Sequence, residues 1–352
     1  MTAADSSLQA IRPPPPASLA AGRAVAGRRT LFLLGLALLL VLLLSLLAGR
    51  YPAPFWLSPT RLWQDPMARQ LVLNLRLPRV LTACLLGMAL AGCGTVLQMI
   101  FRNPLVEPGF LGVSQGAAFG AAFSILYLGG APLLVEGSAT FFACVGLALS
   151  YLLARRARYG GWILRLVLAG IAVSALFSAG VGMLKYLADP LTQLPGIVFW
   201  MLGGLWGVTW SDLLYLLPAV LAGLTVMMLM RWRLNLLSLN DETAFSLGAA
   251  PGRERALLLV AAVAATAAVV SVAGIVGWIG LLIPHLARRL TGAGAEKALP
   301  ASLLLGGLFA LVCDDLARTL LAGEIPLGIL ASLFGAALFL VMMLSKNIRV
   351  QR

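Results

Sequence analysis

The sequence predicts an all-α polytopic membrane bundle of about ten transmembrane helices with both termini on the cytoplasmic side. Three observations carry this. Hydrophobic residues make up 61% of the 352 and charged residues only 11%, with a mean hydropathy of +0.96. A soluble domain carries about 25% charged residues, so this chain lacks the polar surface to face water all round. Apolar runs recur at lengths near the ~20 residues that cross a bilayer. The basic residues behind the formal net charge of +13 sit in short gaps between those runs. That is a topology signal, and it excludes a nucleic-acid footprint.

Residues 1–30 are polar and hold the run Pro13–Pro16. They read as a disordered cytoplasmic tail, leaving 31–352 as the membrane domain. The run Leu31–Ala48 exceeds a signal-peptide h-region and has no A-x-A site, so it is a retained first span over 31–49. Further spans are expected at 80–101, 109–128, 137–154, 162–187, 211–230, 255–275, 277–290, 299–319 and 328–345. The eighth is short and starts around Gly277.

With the N-terminus inside, Arg102, Arg155, Arg156, Arg158, Arg231, Arg233, Arg288 and Arg289 also fall inside, as the positive-inside rule requires. An even number of spans returns the C-terminus to that side. The loop between the first two spans opposes the rule with Arg50, Arg61, Arg69, Arg76 and Arg79. Either a strong first span overrides it, or the charge serves as a docking surface for an acidic partner, joined by Arg318. The charge pattern favours docking.

Gly87, Gly92 and Gly94, the pair Gly116 and Gly120, and Gly328 and Gly335 imply close helix packing and a dimer face. Lys185 and Asp189 share a helix face and could pair. The stretch 196–207 is too short to span and reads as a half-helix in the outer leaflet. In the cytoplasmic segment 234–252, Ser238 or Asn240 can cap a short helix. Asp241 and Glu242 favour its positive end, and Gly248 and Pro251 stop it. Such a helix is either an interfacial anchor or a fit to a groove on a cytoplasmic partner.

No GxxxxGK[ST] loop is present, so the chain has no phosphate loop of its own. His285 and the scattered Cys84, Cys93, Cys144 and Cys313 make no metal site, and His285 reads as structural. Ionisable groups near the membrane midplane are scarce, which counts against ion-coupled transport.

Arg76-Leu-Pro-Arg79, NPLVEPGFLGVSQGA at 103–117, GIVGWIGLLIPHLAR at 274–288 and Glu324-Ile-Pro-Leu-Gly328 occur in this order. Together they resemble the FecCD-type permease subunits of ABC importers for iron-siderophore, heme and cobalamin. Trp278 stands where that family usually has Phe. The resemblance implies a bacterial inner-membrane permease working as two copies of the chain. It implies two cytoplasmic ATPase subunits carrying ATP and Mg, a periplasmic substrate-binding protein, and no cofactor or catalytic residue in the chain itself. It assigns docking to Arg76, Arg79 and Arg318. It assigns ATPase coupling to Leu236, Leu237, Ser238, Asn240, Asp241, Glu242, Phe245, Leu247 and Gly248. By position it makes Ser174, Ser178 and Met183 path residues. The expected cargo is an iron complex, a ferric siderophore or heme. Cobalamin or a molybdate-type oxyanion is the alternative, with an ion-coupled secondary transporter behind both.

Overall fold

The computed structural model describes residues 17–50, 56–321 and 323–344. These form helices α1 (Ala17–Leu47), α2 (Pro59–Gln64), α3 (Pro66–Leu71), α4 (Leu77–Phe101), α5 (Val113–Tyr127), α6 (Pro132–Arg156), α7 (Trp162–Leu187) and α8 (Gln193–Leu202). They continue with α9 (Trp210–Leu229), α10 (Arg231–Leu237), α11 (Asp241–Ser246), α12 (Pro251–Ala273), α13 (Ile279–Thr291), α14 (Ala295–Thr319) and α15 (Leu327–Leu344). The only strand-like pairing among the described residues is an isolated bridge between Ala48 and Trp56.

Every expected span is met by a helix. Eight helical stretches among the described residues are long and apolar enough to cross a membrane; α5 and α13 are the shorter members of the bundle. Two boundaries differ from expectation. Helix α1 already starts at Ala17, so residues 17–30 of the expected tail are helical, and 1–16 lie outside the described residues. The apolar stretch Pro66–Phe101 is continuous through a π-helical turn at Val72–Arg76. Arg76 and Arg79 therefore lie on a long helix rather than in a loop.

Helix α4 is the axis of the bundle. Almost all of it is buried, because α9, α12, α13 and α14 pack around it. Small residues make this possible. A Cβ on Gly87 would collide with the Gly306 carbonyl, and one on Gly306 with that of Gly87, so α4 and α14 touch backbone to backbone. The Gly116 and Gly120 pair is used in the same way. It lets α5 lie against α6 at the Phe142 and Ser138 carbonyls, and Ser138 Oγ donates to the Gly120 carbonyl at 2.7 Å. That pair is an intrachain seam, which corrects the expected dimer face. Gly328 and Gly335 likewise pack inside the chain, against Leu202 and Trp278.

The expected half-helix is α8, with Ile197 as its buried residue. The loop before it is built by Asp189, whose Oδ1 accepts from the Leu191 and Thr192 N–H groups and from the Thr192 hydroxyl. These bonds hold its carboxyl below the usual range. Asp189 lies past the end of α7 and makes no ion pair with Lys185. The shared-face expectation fails because the helix ends first.

Candidate translocation cavity and partner surfaces

The two longest motifs are one structural unit. Arg288 donates to Gln98 Oε1 at 2.5 Å, and Gln98 Nε2 donates to the Gly280 and Leu281 carbonyls at 3.2 and 3.0 Å. His285 Nε2 lies 3.0 Å from the Pro104 carbonyl. Gly94 lets α4 reach the Gly280 backbone, and Pro108 fills the space a Cβ on Gly280 would need. Glu107 accepts a hydrogen bond from the Trp278 N–H. Trp278 sits at φ 70°, a region that costs a bulky residue strain. Its ring packs on Gly335 and edge-on to Phe339 of α15.

Glu107 lines two neighbouring cavities. One, of about 340 Å³, lies between the Pro108–Leu111 turn, α7 and the start of α13, with Ser114, Gln115 and Ser174 on its walls. The other, of about 650 Å³, lies towards α8 and α15, with Trp278, Met201 and Ser332. The rest of their walls is largely apolar, and no Lys, Arg or His among the described residues lines either one. Burial raises the Glu107 carboxyl above the usual range, and the Trp278 N–H partly offsets this. Of the expected path residues, Ser174 reaches the cavity. Ser178 and Met183 lie on the exposed face of α7. Glu107 was missed by sequence reasoning; its signal was a carboxylate inside an apolar motif.

At the opposite end from segment 238–250, the expected docking arginines come together but turn inward. Arg79 pairs with Asp314 at 2.9 Å and with Glu324 at 2.8 Å. Arg318 pairs with Asp314 and Asp315 and donates to the Ala48 and Ser45 carbonyls. Arg76 donates to the Leu46 and Leu47 carbonyls at 3.1 and 3.2 Å. Arg76 and Arg318 are buried. The cluster staples α1, α4 and α14 together, because a buried guanidinium must find oxygen partners. Arg50 and Arg69 are the exposed arginines here; the side chain of Arg61 lies outside the described residues.

At the other end, segment 234–252 folds as two short helices rather than one. Gly248, at φ 81°, ends the second as expected. The capping expectation is corrected, since the Asn240 side chain accepts from Arg102 at 2.8 Å and Ser238 Oγ donates to the Asn235 carbonyl. Buried Arg255 holds the segment in place through Asp241 at 2.7 Å and the Leu237 carbonyl at 3.0 Å. Arg102 also donates to the Leu239 carbonyl, and Arg233 to that of Gly248. Leu237 is buried, Leu236 and Ser238 are half-buried, and Asn240, Asp241, Glu242 and Gly248 are exposed. Phe245 and Leu247 stand out at 73% and 56% exposure. The result is a rigid knob with an apolar tip.

The model of the FecCD transport family matches residues 37–345. The chain is 40% identical over 322 residues to the hemin transport system permease protein HmuU of Yersinia pestis, covering 90% of this chain and 96% of that protein. It is 39% identical over 316 residues to the molybdate import system permease protein MolB of Haemophilus influenzae, covering 87% and 93%. A solved inward-facing metal-chelate type ABC transporter matches with a TM-score of 0.83 at 39% identity, over 90% of this chain and 99% of that one. With the motifs, the helical bundle and these matches in agreement, the chain belongs to the FecCD transport family of ABC importer permeases.

Proposed function

We propose that this permease carries an iron complex, a ferric siderophore or heme, across the bacterial inner membrane. The observation that carries the reading is the pair of cavities around Glu107. Among the described residues their walls are largely apolar, with a few hydroxyl and amide groups, one carboxylate and no basic side chain. Such a lining suits a large chelate with an organic periphery. It suits a bare oxyanion poorly, because oxyanions are held by cationic and N–H donors. The relatives named for hemin and metal chelates fit this reading. The relative named for molybdate keeps an oxyanion as the second reading.

In the working complex two copies pair across the exposed face of α7, where Ser178, Gly182 and Met183 leave room for close approach. Two ATPase subunits receive the Phe245 and Leu247 knob. They carry the ATP and Mg, and the permease makes no bonds itself. A substrate-binding protein docks at the far end. With Arg76 and Arg318 committed to α1 and α14, its acidic residues meet Arg50, Arg69 and the open edge of the Arg79–Glu324 pair. ATP binding shifts the bundle only as far as it favours one state over the other.

ATP-driven uptake into proteoliposomes tests the reading, with the permease, its ATPase and its binding protein reconstituted together. Ferric siderophore, heme, cobalamin and molybdate are offered in turn. Accumulation of an iron complex is expected. Accumulation of cobalamin or molybdate alone overturns the iron assignment, and failure of any ATPase to associate overturns the importer architecture.

A further inference from the structure

The outward face of α1 changes chemistry along its length. Phe32, Leu33, Leu36, Leu40 and Leu43 recur at the three- and four-residue spacing of one helix face, and all five are exposed. Almost none of this apolar span is buried inside the chain, so lipid is its solvent. At ~1.5 Å per residue the stripe is ~17 Å long, close to one leaflet's half of a ~30 Å hydrocarbon core. Arg28 and Arg29 continue the same face one turn before Phe32 and Leu33, and both are exposed. Helical side chains lean towards the N-terminus, so the two guanidinium groups reach away from the stripe to the headgroup level. Among the described residues, neither arginine takes part in an ion pair.

Packing brings further cations to the same foot. Helix α14 runs along α1, and a Cβ on Gly27 would lie 2.9 Å from Lys297 Cδ and 3.0 Å from its Nζ. A third cation is thus held against α1 one residue from Arg28. Helix α13 also meets α1, and its last turn carries Arg288 and Arg289. Acids do not match them. Residues 6–64 and 255–295 contain no Asp or Glu. Glu296, in the first turn of α14, accepts from Asn235 Nδ2 at 2.7 Å. Asn235 also accepts from the Ala295 N–H at 2.9 Å, which places the cluster at the same end of the bundle as segment 238–250. A topology signal needs only basic residues in a loop. It does not need cations from two helices gathered under one apolar stripe, where they repel until an anion joins them.

We propose that Arg28, Arg29 and Lys297 bind the phosphate of an anionic phospholipid whose acyl chains lie along the Phe32–Leu43 stripe. Both halves of the ligand are matched. The exposed leucines and Phe32 take the chains, and the guanidinium groups take the phosphate through paired N–H donors. Each such cation near an anionic lipid surface is worth about a fivefold change in binding. The lipid braces α1 against α14 at this end. At the other end Arg318 already joins the same two helices through the Ser45 and Ala48 carbonyls.

Native mass spectrometry of the full permease in detergent tests this, with phosphatidylglycerol, phosphatidylcholine and inorganic phosphate titrated in turn. Wild type should hold phosphatidylglycerol more tightly than phosphatidylcholine. Replacing both arginines, Arg28→Gln with Arg29→Gln, should weaken phosphatidylglycerol about 25-fold, about fivefold for each charge. Arg28→Lys with Arg29→Lys keeps the charge and should keep most of the binding. Arg155→Gln with Arg156→Gln removes the same charge from an exposed pair in the last turn of α6 and should change nothing. Equal weakening by the two glutamine pairs overturns the proposal, because net charge alone then attracts the lipid. Equal binding of the two lipids by wild type overturns it without any variant. So does displacement of phosphatidylglycerol by inorganic phosphate at matching concentration, because the site then takes a soluble anion.

Discussion

His285 Nε2 meets the Pro104 carbonyl oxygen at 3.0 Å, joining α13 to the turn that follows α4. A carbonyl only accepts, so this contact places the proton on Nε2 and fixes the tautomer. Nε2 is thus committed as a donor to the backbone, and the lone pair stays on Nδ1. His285→Ala should lower the permease's thermal stability by about 1 kcal/mol, the worth of one hydrogen bond. It should leave no spectral change when heme is added to the isolated permease. Loss of a heme-induced absorbance band in the variant would show instead that the histidine is a ligand.

The ionic cluster makes a sharper contrast. Asp314 and Glu324 both hold Arg79, but their side chains are 1% and 40% exposed. Asp314→Asn leaves the largely covered Arg79 and the buried Arg318 under-neutralised and should cost about 3–5 kcal/mol. Glu324→Gln removes a partly solvated partner and should cost about 0–1 kcal/mol. Melting curves of the two variants in detergent compare them directly. Equal losses would mean that Arg79 is held by the outer glutamate as much as by the buried aspartate.

That cluster also shows where sequence reasoning stops. The spans were legible because apolar runs and bilayer thickness are properties of a local stretch. The partners of Arg79 were not, because Asp314 and Glu324 lie 235 and 245 residues away in the chain. The available signal was Asp314 itself, since an acid inside an apolar helix needs a cation, and three arginines were already in view. Glu107 is similar: its motif was recognised, yet the hydrogen bond to Trp278 appears only when the 103–117 and 274–288 segments meet. Segment 234–252 holds the expected short helix ending at Gly248, but its capping was misread, because Arg102 and Arg255 claim the polar groups from other helices.

Glu107 makes stability pH-dependent. Its folded-state carboxyl is raised above the ordinary value by burial, so the folded state favours the protonated form. The penalty of ionising it is absent at low pH and grows as pH rises past the ordinary carboxylate range. Glu107→Gln, which keeps an acceptor for the Trp278 N–H, should therefore melt higher than wild type at pH 7. The two should converge as the pH falls towards 4, near the ordinary value. Uptake should change in the variant, because Glu107 is the one carboxylate among the described residues lining the cavities. Parallel melting curves across that range would remove Glu107 as the source.

The Phe245–Leu247 knob separates contact from support. Phe245 is 73% exposed and none of the described polar contacts depends on its side chain, so Phe245→Glu should leave the permease's stability within about 0.5 kcal/mol of wild type. It should abolish co-purification of the ATPase, because an apolar anchor in a groove is replaced by a charge that must be desolvated. Arg255 does the reverse. It is 3% exposed and holds Asp241 and the Leu237 carbonyl. Arg255→Ala should keep the apolar tip but loosen its support. ATPase would still associate, and ATP hydrolysis would run with cargo uptake falling further than hydrolysis does. Measuring hydrolysis and uptake in the same proteoliposomes gives the ratio. If Arg255→Ala instead lowered both equally, the knob would be a binding surface alone and its rigidity would carry no part of the coupling.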